Sequence, residues 1–186
     1  DGTAKEPTVT VKDGDTIIPA TEYDVTYHYN VNAAKTAMVA VTSKLDGNYD
    51  FGIPVATTFT IAQKPLEGLI QFLDETLTYT GDAQAPAFTA SYMGNALVEG
   101  ADYTVAYYRG EAKLSGMPSD AGDYTVVITG TKNFSGEVRK DYTIHKATIT
   151  GVEVTSASRT IYNGEPQKWG FGVQATTVNQ TFWSIT

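Results

Sequence analysis

The chain contains no cysteine among its 186 residues. Without thiols it forms no disulfide, no thiolate-bound zinc site and no cysteine nucleophile, so its folding must depend on packing. No apolar run approaches the roughly 18 residues of a membrane-spanning helix, and long stretches rich in Leu, Ala and Glu are missing. Thr, Tyr, Val and Gly are abundant instead, which favours β-structure.

Positive charge is also scarce. Thirteen basic residues stand against 21 acidic ones, for a net charge of -8. A surface of this sign argues against nucleic acid or an anionic membrane as a partner. No signal peptide is visible. The chain opens in the middle of a motif, DGTAKEP, so we expect it to be an excised fragment whose targeting signals lie outside it.

The segment Ala121–Lys146 has the clearest pattern. It reads as two strands joined by a turn that contains Asn133, Ser135 and Gly136. On the first strand, Tyr124, Val126 and Ile128 share one face, and this period of two predicts a half-buried strand.

Similar segments recur along the chain. DGTAKEPTVTV, YTGDAQAPAFTA and YNGEPQKWGFGV each place a proline shortly after a glycine, and these glycines, Gly2, Gly81 and Gly164, are 79 and 83 residues apart. Such self-similarity predicts tandem domains. We therefore predict a first repeat at 1–63, truncated at its N-terminus, a complete second repeat at 64–146, and a partial, divergent third repeat at 147–186.

Short alternating strands separated by turn residues predict an all-β fold of small antiparallel β-sandwich domains, arranged end to end with almost no helix. The strands predicted for the second repeat are Leu69–Phe72, Thr76–Thr80, Ala87–Tyr92, Tyr103–Tyr108, Asp123–Thr129 and Glu137–Ile144. The first repeat lacks the first two of these. The third repeat has counterparts of these two strands at Ile149–Val154 and Thr160–Tyr162. This suggests that the C-terminal strands of one molecule complete the N-terminal repeat of the next molecule.

Several motifs together resemble one family. LVEGADYTV at 97–105, AGDYTV at 121–126, the N-F-x-G turn at 133–136 and the closing YTI-x-K at 142–146 resemble the MBG-type and related bacterial Ig-like repeats of large surface proteins. The first repeat departs from the family where AGDYTV becomes AKTAMV, and the third departs after Pro166. The resemblance implies Ig-like domains of secreted or wall-attached proteins that act in adhesion or hold another domain away from the cell. It implies no catalytic residues.

Few residues suggest chemistry. His28 and His145 are the only histidines, and neither has a serine–carboxylate arrangement or a second metal ligand in local register. Asp102, Asp123 and Asp141 each precede a tyrosine, where a carboxylate can accept hydrogen bonds from backbone N–H groups. Asp46, Asn48 and Asp50 alternate like the start of a calcium loop, but the glycine is misplaced and no bidentate Glu follows, so turn formation is the preferred explanation. We predict no metal and no cofactor.

Ligand binding has one set of candidates. Loops at the end of a rigid sandwich commonly carry recognition, and 109–118, RGEAKLSGMP, is the longest irregular insertion in the second repeat. Exposed aromatic side chains could also stack on sugars or anchor a protein. The candidate ligand-binding residues are Tyr108, Arg109, Lys113, Trp169 and Trp183; ordinary core packing or an inter-domain contact is the preferred alternative for the aromatic ones.

The sequence therefore predicts a non-enzymatic stalk module of an extracellular bacterial adhesin, on the cell surface or in the cell wall. The joints at Gln63–Leu66 and His145–Thr148 are short, and Pro65 restricts the first, so we expect a semi-rigid rod. The alternative is a β-sandwich module that binds a host glycan or an extracellular protein. The expected partners are neighbouring repeats and such a host molecule, with no nucleic acid and no insertion into a membrane.

Overall fold

The computed structural model describes residues 2–73, 75–156, 164, 171–177 and 181–182. Among them there is one turn of 3-10 helix, Ala20–Glu22, no α-helix, and many strands, which confirms the all-β prediction. Contacts divide the chain into two compact units: one comprises Asp1–Leu73, Ala87–Ala106 and Val127–Lys140, and the other Asp74–Pro86, Tyr107–Val126 and Asp141–Thr186. The division of the chain into three repeats stays a prediction; the names first, second and third repeat denote the predicted ranges 1–63, 64–146 and 147–186.

The first repeat contains a hairpin and a three-stranded sheet. Its strands are β1 Lys12–Asp13, β2 Thr16–Ile17, β3 Tyr23–His28, β4 Ala34–Ser43 and β5 Val55–Ile61. β1 pairs with β2, and the sheet has the order β3-β4-β5 with antiparallel pairing throughout. Valine lies opposite valine across this sheet at positions 25, 41 and 55. The core is formed by Ile18, Tyr23 and Val41.

The second repeat contains ten strands: β6 Lys64–Pro65, β7 Ile70–Phe72, β8 Leu77–Thr78, β9 Phe88–Tyr92, β10 Asn95–Ala96, β11 Tyr103–Arg109, β12 Ala112–Lys113, β13 Gly122–Gly130, β14 Phe134–Ser135 and β15 Glu137–His145. All six predicted strands are present within two residues at either end. The sequence missed four of the five two-residue strands, β6, β10, β12 and β14, because alternation is hard to recognise in segments of this length.

Two sheets of the second repeat share the segment that contains β7 and β8. One sheet has the order β10-β9-β7, and the other has the order β12-β11-β13-β15-β8. β7 pairs antiparallel with β9, whereas β8 pairs parallel with β15. Phe88 of β9 and Tyr103 of β11 belong to different sheets, and their rings meet edge to face at a centroid distance of 5.9 Å. Aromatic contact therefore connects the two sheets.

Burial along β13 follows the predicted face. Tyr124, Val126 and Ile128 are all buried, with Ile128 fully enclosed. Val127 is buried as well, although the alternation places it on the other face. This part of β13 is thus covered on both sides, as occurs for inner strands.

The third repeat contributes β16 Ile149–Ser156, β17 Phe171–Thr177 and β18 Thr181–Phe182. Their sheet order, β16-β17-β18, repeats that of β7, β9 and β10. The predicted strand at Ile149–Val154 is present within β16, whereas the one at Thr160–Tyr162 lies outside the described residues. No helix in the part of the chain described has the length and apolar character needed to traverse a bilayer.

Candidate functional site: the joint between the first and second repeats

The segment that joins the first and second repeats is held by main-chain hydrogen bonds. β6 (Lys64–Pro65) pairs parallel with β14 (Phe134–Ser135) at the tip of a hairpin. The amide of Lys64 donates to the carbonyl of Asn133 at 2.8 Å, and the amide of Leu66 donates to that of Ser135 at 2.9 Å. Pro65 lies between these two donors. Proline has no backbone N–H, and the ladder uses no N–H group at this position.

The side chain of Gln63 reinforces this pairing. Its amide nitrogen Nε2 donates to the carbonyl of Lys132 at 2.8 Å and to that of Phe134 at 3.2 Å. Backbone carbonyl groups in a turn have no partner in the strand ladder, so they need hydrogen-bond donors from elsewhere, such as this side chain. Lys132 has a φ of +53°, a conformation that few non-glycine residues adopt, and Gln63 contacts the backbone at that turn.

The side chain of Asn133 binds a turn of the first repeat. Its Oδ1 accepts a hydrogen bond of 2.7 Å from the amide of Ala33, and its Nδ2 donates to Oδ1 of Asn32 at 3.0 Å. These partners lie in the turn between β3 and β4, about one hundred residues earlier in the chain. One asparagine thus connects a turn of the first repeat with the hairpin tip of the second.

Apolar and aromatic side chains lie beneath these hydrogen bonds. Leu66 is fully buried, and Phe134 is buried. The Phe134 ring meets Tyr92 edge to face at 5.9 Å, and Nζ of Lys64 lies 5.9 Å from the centre of the Tyr92 ring. Tyr92 therefore packs within the joint.

The candidate ligand-binding residues of the second repeat lie on a β-hairpin. Tyr108 of β11 pairs with Lys113 of β12, and Arg109 pairs with Ala112. The segment at 109–118 was predicted to be irregular, but its first half continues the sheet because Gly110, with a φ of +57°, allows a tight turn. The guanidinium carbon of Arg109 lies 5.7 Å from the centre of the Tyr124 ring.

A small open cavity of about 280 Å³ adjoins this hairpin, lined by Arg109, Tyr124 and residues 114–120. Arg109 and Lys113 are exposed and Tyr108 is half-buried. The structure brings Tyr108, Arg109 and Lys113 together. The other two candidates, Trp169 and Trp183, lie outside the described residues.

The alternating acidic segment forms turn contacts. Oδ1 of Asp50 accepts a hydrogen bond from the amide of Gly52 at 2.8 Å, while the amide of Asn48 donates to Oε2 of Glu22 at 2.6 Å. Asp46 is exposed. The described residues include no group of three or more His, Cys, Asp or Glu side chains placed to hold a metal ion.

The three repeated aspartates have structural partners. Asp102 accepts a hydrogen bond from the amide of Val98 at 2.9 Å, as predicted for a local backbone contact. Asp123 and Asp141 accept instead from the hydroxyls of Thr143 and Thr125 on the paired strand. Both histidines are exposed strand residues.

Two buried tyrosines have displaced pKa values. Burial raises the pKa of Tyr142 well above its usual range, and the nearby Tyr107 and Tyr124 raise it further. Burial also raises the pKa of Tyr103, with added repulsion from Glu99 and Asp102. Both phenols therefore keep their protons to a higher pH than an ordinary tyrosine does, as expected for tyrosines that pack in a core.

The sequence indicated the joint by its shortness and by Pro65, but it missed Gln63 and Asn133 as the residues that bind it. An asparagine at a hairpin tip signals a turn, and nothing local indicates a distant partner. No family model matches the chain, and no curated protein or solved structure shows a match to it.

Proposed function

We propose that this chain is a non-enzymatic structural module, a stalk segment of an extracellular bacterial surface adhesin that spaces or presents another domain. The proposal includes membership of the MBG-type or related bacterial Ig-like repeats, on the strength of the motifs at 97–105, 121–126 and 142–146. The observation that carries it is the bonded joint at Gln63–Leu66.

A spacer needs a joint that resists bending. A free linker of a few residues would allow neighbouring repeats to reorient. Here the linker backbone is fixed by the amides of Lys64 and Leu66, and Asn133 adds a second attachment at Ala33. Two separate sets of hydrogen bonds oppose rotation about either one. Leu66 and Phe134 are buried beside these hydrogen bonds, so the burial of apolar surface also stabilises the joint.

The stiffness of the joint can be measured with paired spin labels, because the chain has no native cysteine. Thr26→Cys in β3 and Ser91→Cys in β9 place one label on each repeat at exposed strand positions. If the chain acts as a stalk, double electron–electron resonance should give a narrow, single-peaked distribution of distances between the two labels. Adding Gln63→Ala and Asn133→Ala should broaden it.

Asn95→Ala is the matched control, since the Asn95 amide makes only a 3.5 Å contact with the carbonyl of Met93. This variant should leave the distribution narrow. A wild-type distribution as broad as that of the doubly substituted joint would contradict the proposal, because the repeats would then reorient freely.

A second candidate function is binding of a host glycan or extracellular protein at the 109–118 hairpin. Arg109 favours it, because its exposed guanidinium stacks on Tyr124 beside the cavity of about 280 Å³. A planar cation on an aromatic ring suits carboxylated sugars and acidic side chains. Binding on a glycan and matrix-protein array should then be lost in Arg109→Ala and kept in Arg139→Ala, where an exposed arginine pairs with Glu137. Equal array binding by Arg109→Ala and Arg139→Ala would reject ligand binding at the 109–118 hairpin.

A further inference from the structure

The guanidinium group of Arg109 is held in place by two neighbours. Its central carbon lies 5.7 Å from the centre of the ring of Tyr124, which is buried. It also lies next to Gly122, since a Cβ built on that glycine would be 3.2 Å from Nη2 of Arg109. A larger residue at position 122 would therefore crowd the guanidinium. An arginine positioned in this way loses little conformational freedom when it binds a ligand.

The hydrogen-bond donors of this group are accessible. Arg109 is exposed, and within the described part of the chain no carboxylate or other acceptor lies within hydrogen-bonding distance of its side chain. The other described arginine, Arg139, pairs with Glu137 at 3.1 Å. A guanidinium has five N–H donors in one plane, and two of them match the two oxygens of a carboxylate. Arg109 is therefore suited to a carboxylate supplied by a ligand.

The loop that forms the wall of the adjoining cavity is fixed at three points. The amide of Leu114 donates to a carbonyl of β11 at 2.8 Å, and the amide of Gln84 donates to the carbonyl of Pro118, also at 2.8 Å. The hydroxyl of Tyr124 donates to the carbonyl of Asp120 at 3.0 Å. The cavity is thus formed before a ligand arrives, which reduces the entropic cost of binding.

The side chains along this loop suit a sugar. Leu114 is half-buried and Met117 is 44% exposed, so the cavity has an apolar surface open to solvent. The hydroxyls of Ser115 and Ser119 have no hydrogen-bond partner among the described residues, and Asp120 is exposed. A sugar ring combines an apolar C–H face with hydroxyl groups that donate and accept hydrogen bonds. It can therefore contact both kinds of surface at once.

We propose that this cavity binds a monosaccharide unit that carries a carboxylate. The carboxylate accepts two N–H bonds from Arg109, the apolar face of the ring lies on Met117, and its hydroxyls bond to the two serines and Asp120. A volume of about 280 Å³ is close to the lower end of ligand pockets, which suits one sugar ring. An acidic peptide side chain would supply the carboxylate alone and leave the serine hydroxyls without partners. The inference rests on the second candidate function, ligand binding at this hairpin.

The ligand class can be tested by NMR titration of the full chain with three small probes. Methyl β-glucuronide carries the carboxylate on a sugar ring, methyl β-glucoside has the ring without the charge, and N-acetylglutamic acid α-amide has the carboxylate without the ring. Amide chemical shifts should give a dissociation constant on the order of 1 mM for the glucuronide, as expected for a ligand of this size. The other two probes should bind at least about tenfold more weakly, because each lacks one set of contacts.

Charge-conserving variants test the role of Arg109. Arg109→Lys keeps the positive charge but loses the planar pair of donors, so it should bind the glucuronide at least about tenfold more weakly. Arg139→Lys is the matched control and should bind like the wild-type chain. Equal binding by the two variants, equal affinity for the glucuronide and either other probe, or no binding of the glucuronide would overturn the proposal. In each of these cases, loss of array binding in Arg109→Ala would still support the second candidate function.

Discussion

Thr125 of β13 donates a hydrogen bond of 2.6 Å from its hydroxyl to Oδ1 of Asp141 on β15. The relationship is reciprocal, since Thr143 of β15 donates to Oδ1 of Asp123 on β13 at 2.7 Å. Each strand thus supplies one carboxylate and one hydroxyl. The pairs add to the register of the two strands from their exposed face, while the buried face, with Tyr124 and Tyr142, opposes a one-residue slip.

A double-mutant cycle on this pair should show coupling. Thr125→Ala and Asp141→Ala each remove one partner, and we expect a coupling free energy of unfolding of about 0.5 kcal/mol, since exposed cross-strand pairs contribute between about 0.2 and 1 kcal/mol. Urea denaturation of the two single variants and the double variant provides the measurement. If the losses of unfolding free energy in the two single variants add up to the loss in the double variant, the hydrogen bond between Thr125 and Asp141 does not contribute to stability.

Two glycine substitutions should differ sharply. A Cβ at Gly130 would lie 2.7 Å from the amide nitrogen of Ser135 and 2.8 Å from the carbonyl carbon of Phe134, both of them backbone atoms. Gly130→Ala should therefore lower the free energy of unfolding by about 1–3 kcal/mol, as overpacking does. It should also loosen the joint, because Phe134 and Ser135 form β14.

Gly116→Ala is the matched control. Nothing lies within 4 Å of a Cβ at that position, so the substitution should leave stability unchanged or raise it slightly by restricting the unfolded chain. Comparable losses in the two alanine variants, measured by chemical denaturation, would contradict the geometry at Gly130.

Two isoleucines five residues apart in sequence provide a test of the core. Ile144 is 1% exposed and Ile149 is 53% exposed. Ile144→Ala should cost about 2–5 kcal/mol of unfolding free energy through lost transfer energy and a cavity. Ile149→Ala should cost less than about 0.5 kcal/mol. Similar denaturation midpoints for the two variants would show that Ile144 is not a core residue.

Alkaline pH should destabilise the fold through Tyr142. Its pKa is raised in the folded state, so the unfolded chain loses the phenolic proton first. The protonated Tyr142 contributes its full share of folding stability below about pH 10, the ordinary pKa of tyrosine. This share is lost as the pH rises toward the pKa of Tyr142 in the folded state. Stability should thus fall above pH 10, and Tyr142→Phe should reduce the slope by about 1.4 kcal/mol per pH unit, the value for one proton. Urea unfolding at several pH values measures the dependence of the unfolding free energy on pH. The same slope in the wild-type chain and in Tyr142→Phe would contradict this prediction.

Much of the secondary structure was predictable from local pattern. The six strands predicted for the second repeat are found, and the buried face of β13 is the predicted one. The hairpin at Arg109 was missed, because the turn depends on one glycine in a left-handed conformation and the strand after it has only two residues. The surroundings of Tyr92 were not predictable for a different reason: its neighbours Phe134 and Lys64 lie far away in sequence.

By itself, the sequence determined the all-β fold and the positions of six strands of the second repeat, because alternation of apolar and polar residues acts over a few neighbouring positions. Only the tertiary structure decided that Asn133 binds Ala33 and that β7 and β8 enter different sheets. These features depend on contacts between residues distant in the chain, whose partners are chosen by the packing of whole strands rather than by any local pattern.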